Sequence, residues 1–265
     1  MKSIINSIEG IKVILESASD AILEIYSSFD SDDIEIKKDN SPLTTADKRS
    51  NEILCRELIK LFPNIPIISE ENKESEYAER NTFNNCWIID PLDGTKEFIK
   101  KNGEFTINLA YWSGGEIAAG WVYIPTQNTL YWSIKNKGAW KESNGEKTQL
   151  FAREFDSFED LTITCSRSHV NQKTLDYLTL FPNHTLLAQG SAIKVLSVAD
   201  GTAHLYPRFG PTMEWDIAPT QLILEEAGGN LVSIVTKKPL IYNKENLLND
   251  PFIAIGKYNG SENFI

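Results

Sequence analysis

Residues 86–95 read Cys-Trp-Ile-Ile-Asp-Pro-Leu-Asp-Gly-Thr, four apolar residues followed at once by two carboxylates on a proline-containing turn. The apolar run predicts a buried strand, and Asp93-Gly94 is typical of a tight turn. The following residues, 95–100, are predicted to form a short helix. Carboxylates at the end of a buried strand need water, a cation or a hydrogen-bond donor to offset their desolvation. We therefore expect a strand, a turn and a helix here, with a polar site where they meet.

Length and charge limit the possible function classes. The chain has 265 residues, of which 41% are hydrophobic and 24% charged, and its formal net charge is −11. These fractions are typical of a folded globular protein. The negative charge disfavours a general binder of nucleic acid or of anionic membranes, which needs a basic face. It does not exclude a small anionic substrate, because bound cations can reverse the local field.

No targeting or membrane segment is evident. No apolar run approaches the roughly 20 residues that a membrane-spanning helix needs, and charges interrupt the N-terminal apolar positions, unlike those of a signal peptide. The expected compartment is the cytoplasm, and a peripheral association with the inner membrane stays open. The scattered Cys55, Cys86 and Cys165 predict buried thiols, not a disulfide framework or a zinc site. No obligate protein partner is indicated.

Two helices are predicted before residue 65. Apolar residues between positions 4 and 29 recur every three or four residues, which indicates one face of a long helix. A second helix follows residues 41–47 and is ended by Pro63 and Pro66. Asp47 lies at its entrance, where aspartate commonly caps a helix.

A sheet is predicted between residues 65 and 140. A short strand at 65–69 precedes the strand at 86–89, and residues 105–140 read as antiparallel hairpins with glycine- and proline-containing turns. The polar segment 72–85 is predicted to be a loop or a flap. The polar segment 141–159 is predicted to be a domain boundary.

Strands and helices alternate after this boundary. We therefore predict an N-terminal α+β half with an antiparallel sheet (1–150) and a C-terminal α/β half (151–265). Strands are predicted at 161–165, 185–188, 204–206, 231–235 and 252–255, and helices at 172–180, 192–199 and 216–227. The last helix ends at Gly228-Gly229, a typical C-terminal stop.

Acidic residues recur at the ends of these predicted elements. Each has a plain structural explanation by itself, as a helix cap, a solvated strand end or a turn residue. Together they suit Mg²⁺, which takes carboxylates, water and substrate phosphate as ligands. The helix start after Gly94 would add N–H groups for an anion, so the pattern predicts metal-assisted phosphoryl transfer to water. The acidic residues are Asp47, Glu70-Glu71, Asp90, Asp93 and Asp216.

Two motifs resemble those of a known family. Asp-Pro-Leu-Asp-Gly-Thr at 90–95 and Trp-Asp-Ile-Ala at 215–218 resemble the paired motifs of the inositol-monophosphatase superfamily, which comprises Mg²⁺-dependent, lithium-sensitive phosphatases. Further stretches resemble its CysQ-type 3′(2′),5′-bisphosphate nucleotidase branch, and the resemblance spans nearly the whole chain. It implies a layered αβαβα sugar-phosphatase-like fold. These stretches are 41–47, 69–71, 93–106, 166–169 and 205–212.

The resemblance also implies residue roles. Asp47 and Thr95 would polarise the attacking water with help from Glu70, while Lys194 and Arg208 would bind a second phosphate. Two or three Mg²⁺ ions would be held by Glu70, Asp90, the backbone carbonyl of Leu92, Asp93 and Asp216. The substrate would contact Asp93, Gly94, Thr95, His169, Gly190, Ser191, Lys194, Arg208 and Asp216.

The implied reaction is hydrolysis of adenosine 3′,5′-bisphosphate to AMP and phosphate by activated water, without a covalent intermediate. This reaction would remove a by-product of sulfate activation, and the only implied partner is the small nucleotide. An inositol-monophosphate or sugar-bisphosphate phosphatase of the same superfamily is one alternative, and a catalytically silent metal-binding protein is another. One departure from the second motif is Pro219, which is expected in the first turn of its helix, where proline is tolerated.

Overall fold

The computed structural model of the chain describes residues 4, 7–29, 35–36, 42–73, 75–167, 171–261 and 264. The helices are α1 (Ile8–Ser28), α2 (Thr45–Leu61), α3 (Tyr77–Arg80), α4 (Thr95–Ile99), α5 (Gln172–Leu178), α6 (Ile193–Ala199) and α7 (Glu214–Glu226). The strands are β1 (Glu35–Ile36), β2 (Pro42–Leu43), β3 (Ile67–Ser69), β4 (Asn85–Asp93), β5 (Thr106–Ser113), β6 (Glu116–Ile124), β7 (Thr129–Ile134), β8 (Ala139–Ser143), β9 (Glu146–Gln149), β10 (Glu154–Phe155), β11 (Thr162–Ser166), β12 (Thr185–Gln189), β13 (Leu205–Arg208), β14 (Asn230–Ser233), β15 (Phe252–Ile255) and β16 (Lys257–Tyr258). Across the described ranges, no helix is both long enough and apolar enough to cross a membrane.

A seven-stranded sheet organises the N-terminal half. Its order is β3-β4-β5-β6-β7-β8-β9, with β3 parallel to β4 and every other pair antiparallel. Trp87 and Ile89 pack with α1 and α2 on one face, whereas Cys86 and Ile88 join the core on the other face. Successive side chains of a strand point to opposite faces, and both faces are covered here. This coverage explains why residues 86–89 are apolar without interruption.

A five-stranded sheet forms the second β layer. Its order is β12-β11-β13-β15-β14, in which the first three strands are parallel and the last two are antiparallel to their neighbours. Helices α6 and α7 pack between the two sheets, and α5 covers the outer face of the second sheet. The predicted αβαβα layering is therefore confirmed. The division of the chain into two halves between residues 150 and 151 stays a prediction. In the structure, one apolar core contains residues of both sheets.

Two polar segments are more structured than predicted. The segment 72–85, expected to be a loop or flap, contains α3, whose Arg80 is 1% exposed. The segment 141–159, expected to be a boundary, contains part of β8, all of β9 and β10. Residues of β9 are exposed because this strand lies at the edge of its sheet, where polar residues protect against unwanted pairing. Their polarity therefore reflects an edge strand.

Helix α7 begins earlier than predicted, at Glu214, so Pro219 lies beyond the first turn and inside the helix. The expectation that Pro219 occupies the first turn is therefore wrong. Residues Glu214 and Asp216 supply the acidic side chains that a helix start favours. Pro219 packs directly on Gly120 of β6, where an added Cβ would lie 2.7 Å from the Pro219 carbonyl oxygen and 2.8 Å from its Cα. A glycine in the central sheet thus lets α7 approach closely.

Gly120→Ala should lower the free energy of unfolding by about 1–3 kcal/mol, the usual cost of overpacking a core. The clash is with backbone atoms, so it should outweigh the gain of about 0.4–1 kcal/mol expected from a stiffer unfolded chain. Urea denaturation measures the change. Gly10→Ala is the matched control, because a Cβ there meets only the end of the Leu61 side chain at 3.2 Å. Equal stability of the two variants would contradict the close packing.

Candidate active site

A cleft of about 280 Å³ collects nearly all the site residues predicted from the sequence. Asp47 lies behind it, next to Thr95, and His169 lies outside the residues that the structure describes. Residues distant in sequence therefore meet in one place. The predicted residues that line the cleft are Glu70, Asp90, Leu92, Asp93, Gly94, Thr95, Gly190, Ser191, Lys194, Arg208 and Asp216.

Three carboxylates meet at the cleft. One oxygen from each of Glu70, Asp90 and Asp216 lies within 4.8 Å of the others. Parallel pairing of β3 with β4 places Glu70 beside Asp90, and the Glu70 N–H donates to the carbonyl of Ile89 at 3.1 Å. Asp216 comes from the first turn of α7, where its Oδ2 accepts the N–H of Met213 at 2.9 Å. Two elements of one sheet and one helix thus build the cluster.

The electrostatics of this cluster favour a bound cation. Burial, and then the negative charges of the neighbouring carboxylates, raises the pKa of Asp90 well above its usual value. Burial and the nearby Asp93 and Glu70 raise the pKa of Asp216 to about 8. Carboxylates held this close repel one another unless a cation or protons neutralise them. Oxygen donors are the ligands that hard divalent ions such as Mg²⁺ prefer, so these residues fit Mg²⁺.

Asp93 lies on the cleft but outside that group of three. Its Oδ2 accepts hydrogen bonds from the Ser191 hydroxyl at 2.7 Å and from the Asn108 amide at 3.3 Å. A further hydrogen bond of 2.6 Å joins the hydroxyls of Thr106 and Ser191. The Leu92 N–H donates to Asp90 Oδ1 at 3.0 Å within the same turn. Metal binding by Asp93 and by the Leu92 carbonyl stays a prediction.

Gly94 is required by the backbone of the turn. Its φ is +94°, a conformation that residues with a Cβ rarely adopt. An added Cβ would also lie 3.1 Å from the carbonyl oxygen of Glu104 and 3.2 Å from the Cβ of Ser191. The glycine therefore lets the segment carrying Thr95 turn sharply into α4 while staying close to the opposite wall of the cleft.

The predicted pair of Asp47 and Thr95 is in contact. Thr95 Oγ1 donates to Asp47 Oδ1 at 3.1 Å, while Asp47 Oδ2 accepts from the Thr44 backbone at 2.8 Å and from the Thr44 hydroxyl at 2.6 Å. Burial raises the pKa of Asp47, and these hydrogen bonds oppose the shift. Thr44, not Asp47, is the N-cap of α2, and Asp47 completes the capping box from the third helical position. Asp47 therefore supports the start of α2 and orients the Thr95 hydroxyl.

Lys194 and Arg208, the two cations predicted to bind substrate, line the same cleft. The buried Lys194 donates through Nζ to the Ser191 carbonyl at 2.5 Å and lies 5.5 Å from the centre of the Tyr206 ring. Burial lowers its pKa to about 8, so the ammonium remains the main form at neutral pH. Arg208 Nη2 donates to the Pro211 carbonyl at 2.9 Å. Its Nε is buried without an acceptor among the described residues, and a phosphate oxygen would supply one.

Residues to which the sequence analysis gave no role support the opposite wall of the cleft from behind. Glu104 accepts the N–H of Gly190 at 2.8 Å and two hydrogen bonds from Arg167 at 3.0 and 2.8 Å. These contacts hold the turn that carries Ser191. Asn108 and Thr106 could have been noticed, because they are polar residues at alternate positions of an apolar strand. Glu104 lies within the stretch 93–106 that resembles the family, but its contacts could not be predicted because its partners come from a distant turn.

Comparisons with known proteins show the family of this chain and its relatives. Residues 8–259 match the inositol monophosphatase family. The 3′(2′),5′-bisphosphate nucleotidase CysQ of Escherichia coli (strain K12) is 40% identical over 237 residues, which cover 89% of this chain and 94% of that protein. CysQ of Salmonella typhimurium (strain LT2) is 37% identical over 245 residues, covering 92% and 98%. The crystal structure of CysQ from Bacteroides thetaiotaomicron superposes with a TM-score of 0.79 and 35% identity, covering 92% of this chain and 94% of that one.

Proposed function

Because this chain belongs to the inositol monophosphatase family, we propose that it is a Mg²⁺-dependent 3′(2′),5′-bisphosphate nucleotidase that hydrolyses adenosine 3′,5′-bisphosphate to AMP and phosphate. The proposal rests on the side chains that meet in one cleft. A carboxylate cluster lies there with the Thr95 hydroxyl on one side and Lys194 and Arg208 on the other. The cytoplasmic location and the role in disposing of a by-product of sulfate activation stay predictions.

Metal binding is assigned to the carboxylates at the base of the cleft. Glu70, Asp90 and Asp216 would hold Mg²⁺, with Asp93 and the Leu92 carbonyl as further expected ligands. When bound, Mg²⁺ neutralises phosphate oxygens and lowers the pKa of water. Two or three ions per site are expected, a number that metal titration can count.

Asp47 and Thr95 would orient the water that attacks the phosphate. Asp47 accepts a hydrogen bond from the Thr95 hydroxyl, which leaves the lone pairs of that hydroxyl facing away from Asp47 and able to accept a hydrogen bond from a water. That water attacks phosphorus in line with the leaving ribose oxygen and gives up a proton through the Thr95 hydroxyl to Asp47. The P–O bond to the ribose breaks, and the released ribose oxygen takes a proton from a solvent water. No side chain forms a bond to phosphorus. Gly94 and Thr95 lie at the start of α4, where the scissile phosphate would be held.

The second phosphate of the substrate is assigned to Lys194 and Arg208. Arginine presents a planar fork that suits phosphate. The Nε of Arg208 has no hydrogen-bond acceptor among the described residues, so it can donate to a phosphate oxygen. Lys194 adds a buried positive charge on the same side. An inositol monophosphate has no group to occupy this position, which favours the nucleotide bisphosphate over that alternative.

Arg208→Ala should lower kcat/KM for adenosine 3′,5′-bisphosphate by about 10- to 100-fold, the value of a hydrogen bond to a charged group. Turnover of adenosine 3′-monophosphate, which lacks the second phosphate, should change far less. Steady-state kinetics on both nucleotides measures the ratio. An equal loss on both substrates would show that Arg208 does not read the second phosphate.

Phosphate release from adenosine 3′,5′-bisphosphate tests the proposal as a whole. Protein stripped with a chelator should be inactive, should regain turnover with Mg²⁺, and should be inhibited by Li⁺ as its family resemblance implies. Turnover that survives chelation would contradict metal dependence. A folded protein that binds Mg²⁺ but releases no phosphate would instead support the catalytically silent alternative, against which the retained Asp47–Thr95 hydrogen bond argues.

A further inference from the structure

A buried network lies behind the metal site and is not part of the cleft. Glu214, which is fully buried in the first turn of α7, accepts the N–H of Asn243 at 2.6 Å and the N–H of Lys244 at 3.1 Å. Lys244 Nζ also donates to the same carboxylate at 2.6 Å. One side chain of α7 therefore fixes the loop 243–245 by three hydrogen bonds.

Arg80 holds the same loop from the other side. Its Nη1 donates to the Asn243 side chain at 3.2 Å and to the Lys244 carbonyl at 2.8 Å, and its Nη2 donates to the Glu245 carbonyl at 3.1 Å. The Asn243 amide returns a hydrogen bond of 2.8 Å to the Arg80 carbonyl. A guanidinium in a fixed fork is suited to bind several carbonyls at once.

The residues of this network lie in chain segments that also carry the carboxylates of the cluster. Arg80 lies in the segment that joins Glu70 to Asp90, and Glu214 lies two residues before Asp216 on the same helix. The start of α7 is tied to the same C-terminal region by its backbone as well, since the Glu214 N–H donates to the Leu247 carbonyl at 3.0 Å. The network thus connects the two sides of the carboxylate cluster through one loop.

We propose that Arg80 and Glu214 are positioning residues, which act through the loop 243–245 to fix Asp216 relative to Glu70 and Asp90 and so set the affinity for Mg²⁺. The inference rests on the proposed metal-dependent function. Residues that orient metal ligands from behind typically change metal affinity by about 10- to 100-fold when mutated. Neither residue lines the cleft, so binding of the nucleotide itself should be unaffected.

The test compares Arg80→Lys, Arg80→Met and Glu214→Gln with the wild type. Isothermal titration with Mg²⁺, without substrate, should show affinity weakened by about 10- to 100-fold. The Mg²⁺ concentration for half-maximal turnover should rise equally, whereas kcat and the nucleotide KM should recover at saturating Mg²⁺. Arg49→Met is the matched control, because Arg49 pairs with Glu52 on the exposed side of α2.

The outcomes separate this inference from the proposed function. Lower Tm or a smaller active fraction with wild-type Mg²⁺ affinity would mean a merely structural role and would overturn the inference. If Arg80→Met fails to fold, two milder variants give the same comparison. Arg80→Lys keeps the charge but loses the planar fork, and Lys244→Met removes one hydrogen-bond partner of Glu214. If the wild type neither binds nor requires Mg²⁺, the proposed function itself is wrong.

Discussion

Asp216→Asn should lower kcat for adenosine 3′,5′-bisphosphate by about 10³-fold or more, because metal ions supply several kcal/mol of charge stabilisation and each 1.4 kcal/mol is tenfold in rate. Asparagine has the same shape and keeps an acceptor for the Met213 N–H, which Asp216 now binds at 2.9 Å. The start of α7 should therefore persist. What is lost is one of the three carboxylates whose oxygens lie within 4.8 Å of one another.

Thermal unfolding distinguishes this loss from misfolding. Without metal, the Asp216→Asn variant should unfold at the wild-type temperature or above it, because asparagine removes a buried carboxyl that its acidic neighbours disfavour in the charged form. Added Mg²⁺ should raise the Tm of the wild type, as any ligand of the folded state does, and raise that of the variant much less. Asp176→Asn on the exposed side of α5 is the matched control. Near-wild-type turnover of Asp216→Asn would refute its assignment as a metal ligand.

Asp47→Asn should lower kcat by about 10²- to 10⁴-fold, the usual contribution of general acid–base assistance. Asp47 accepts from Thr44 through one oxygen and from Thr95 through the other. Asparagine would keep its single oxygen for the two Thr44 donors and turn its NH₂ group toward Thr95. The Thr95 hydroxyl would then accept instead of donate, so it could no longer orient the water in the same way.

Variants of Thr95, alone and combined with Asp47→Asn, test whether Asp47 and Thr95 act together on the water. Thr95→Ser keeps the hydroxyl and should stay active, whereas Thr95→Ala should resemble Asp47→Asn. The double variant should be little worse than either single one, because residues that act as a unit are not additive. The Mg²⁺ concentration for half-maximal turnover should stay unchanged throughout. Fully additive losses, or a large shift in Mg²⁺ dependence, would show that the two residues do not act together on the water.

Strands, helices and motif residues that depend on local sequence pattern could be predicted from the sequence. The apolar run at 86–89 and the carboxylates after it were placed correctly, except that β4 continues through the turn to Asp93 with an irregular register between Asp90 and Asp93. The long helix and the alternating second half also follow from periodicity. The juxtaposition of Glu70, Asp90 and Asp216 came from resemblance, because parallel strand pairing and helix docking are long-range events.

Other features lay beyond local pattern. Arg80 lies in a polar segment, and its burial depends on Asn243, which follows 163 residues later. Glu214 reads as an ordinary charged residue at a helix start, yet the loop at 243–244 encloses it. Pro219 was assigned to a first turn because the helix start was placed at the motif. The positions of Arg80 and Glu214 thus depend on partners that are distant in sequence, whereas the error on Pro219 concerns where its own helix begins.

The values of kcat/KM for adenosine 3′,5′-bisphosphate and inositol 1-phosphate, measured side by side at the same Mg²⁺ concentration, decide the substrate class of this enzyme. We expect a preference for the nucleotide of about tenfold or more, the value of at least one charged hydrogen bond to the second phosphate. AMP and phosphate should be the products. Equal or faster turnover of inositol 1-phosphate would contradict the assignment of Lys194 and Arg208 and with it the proposed substrate.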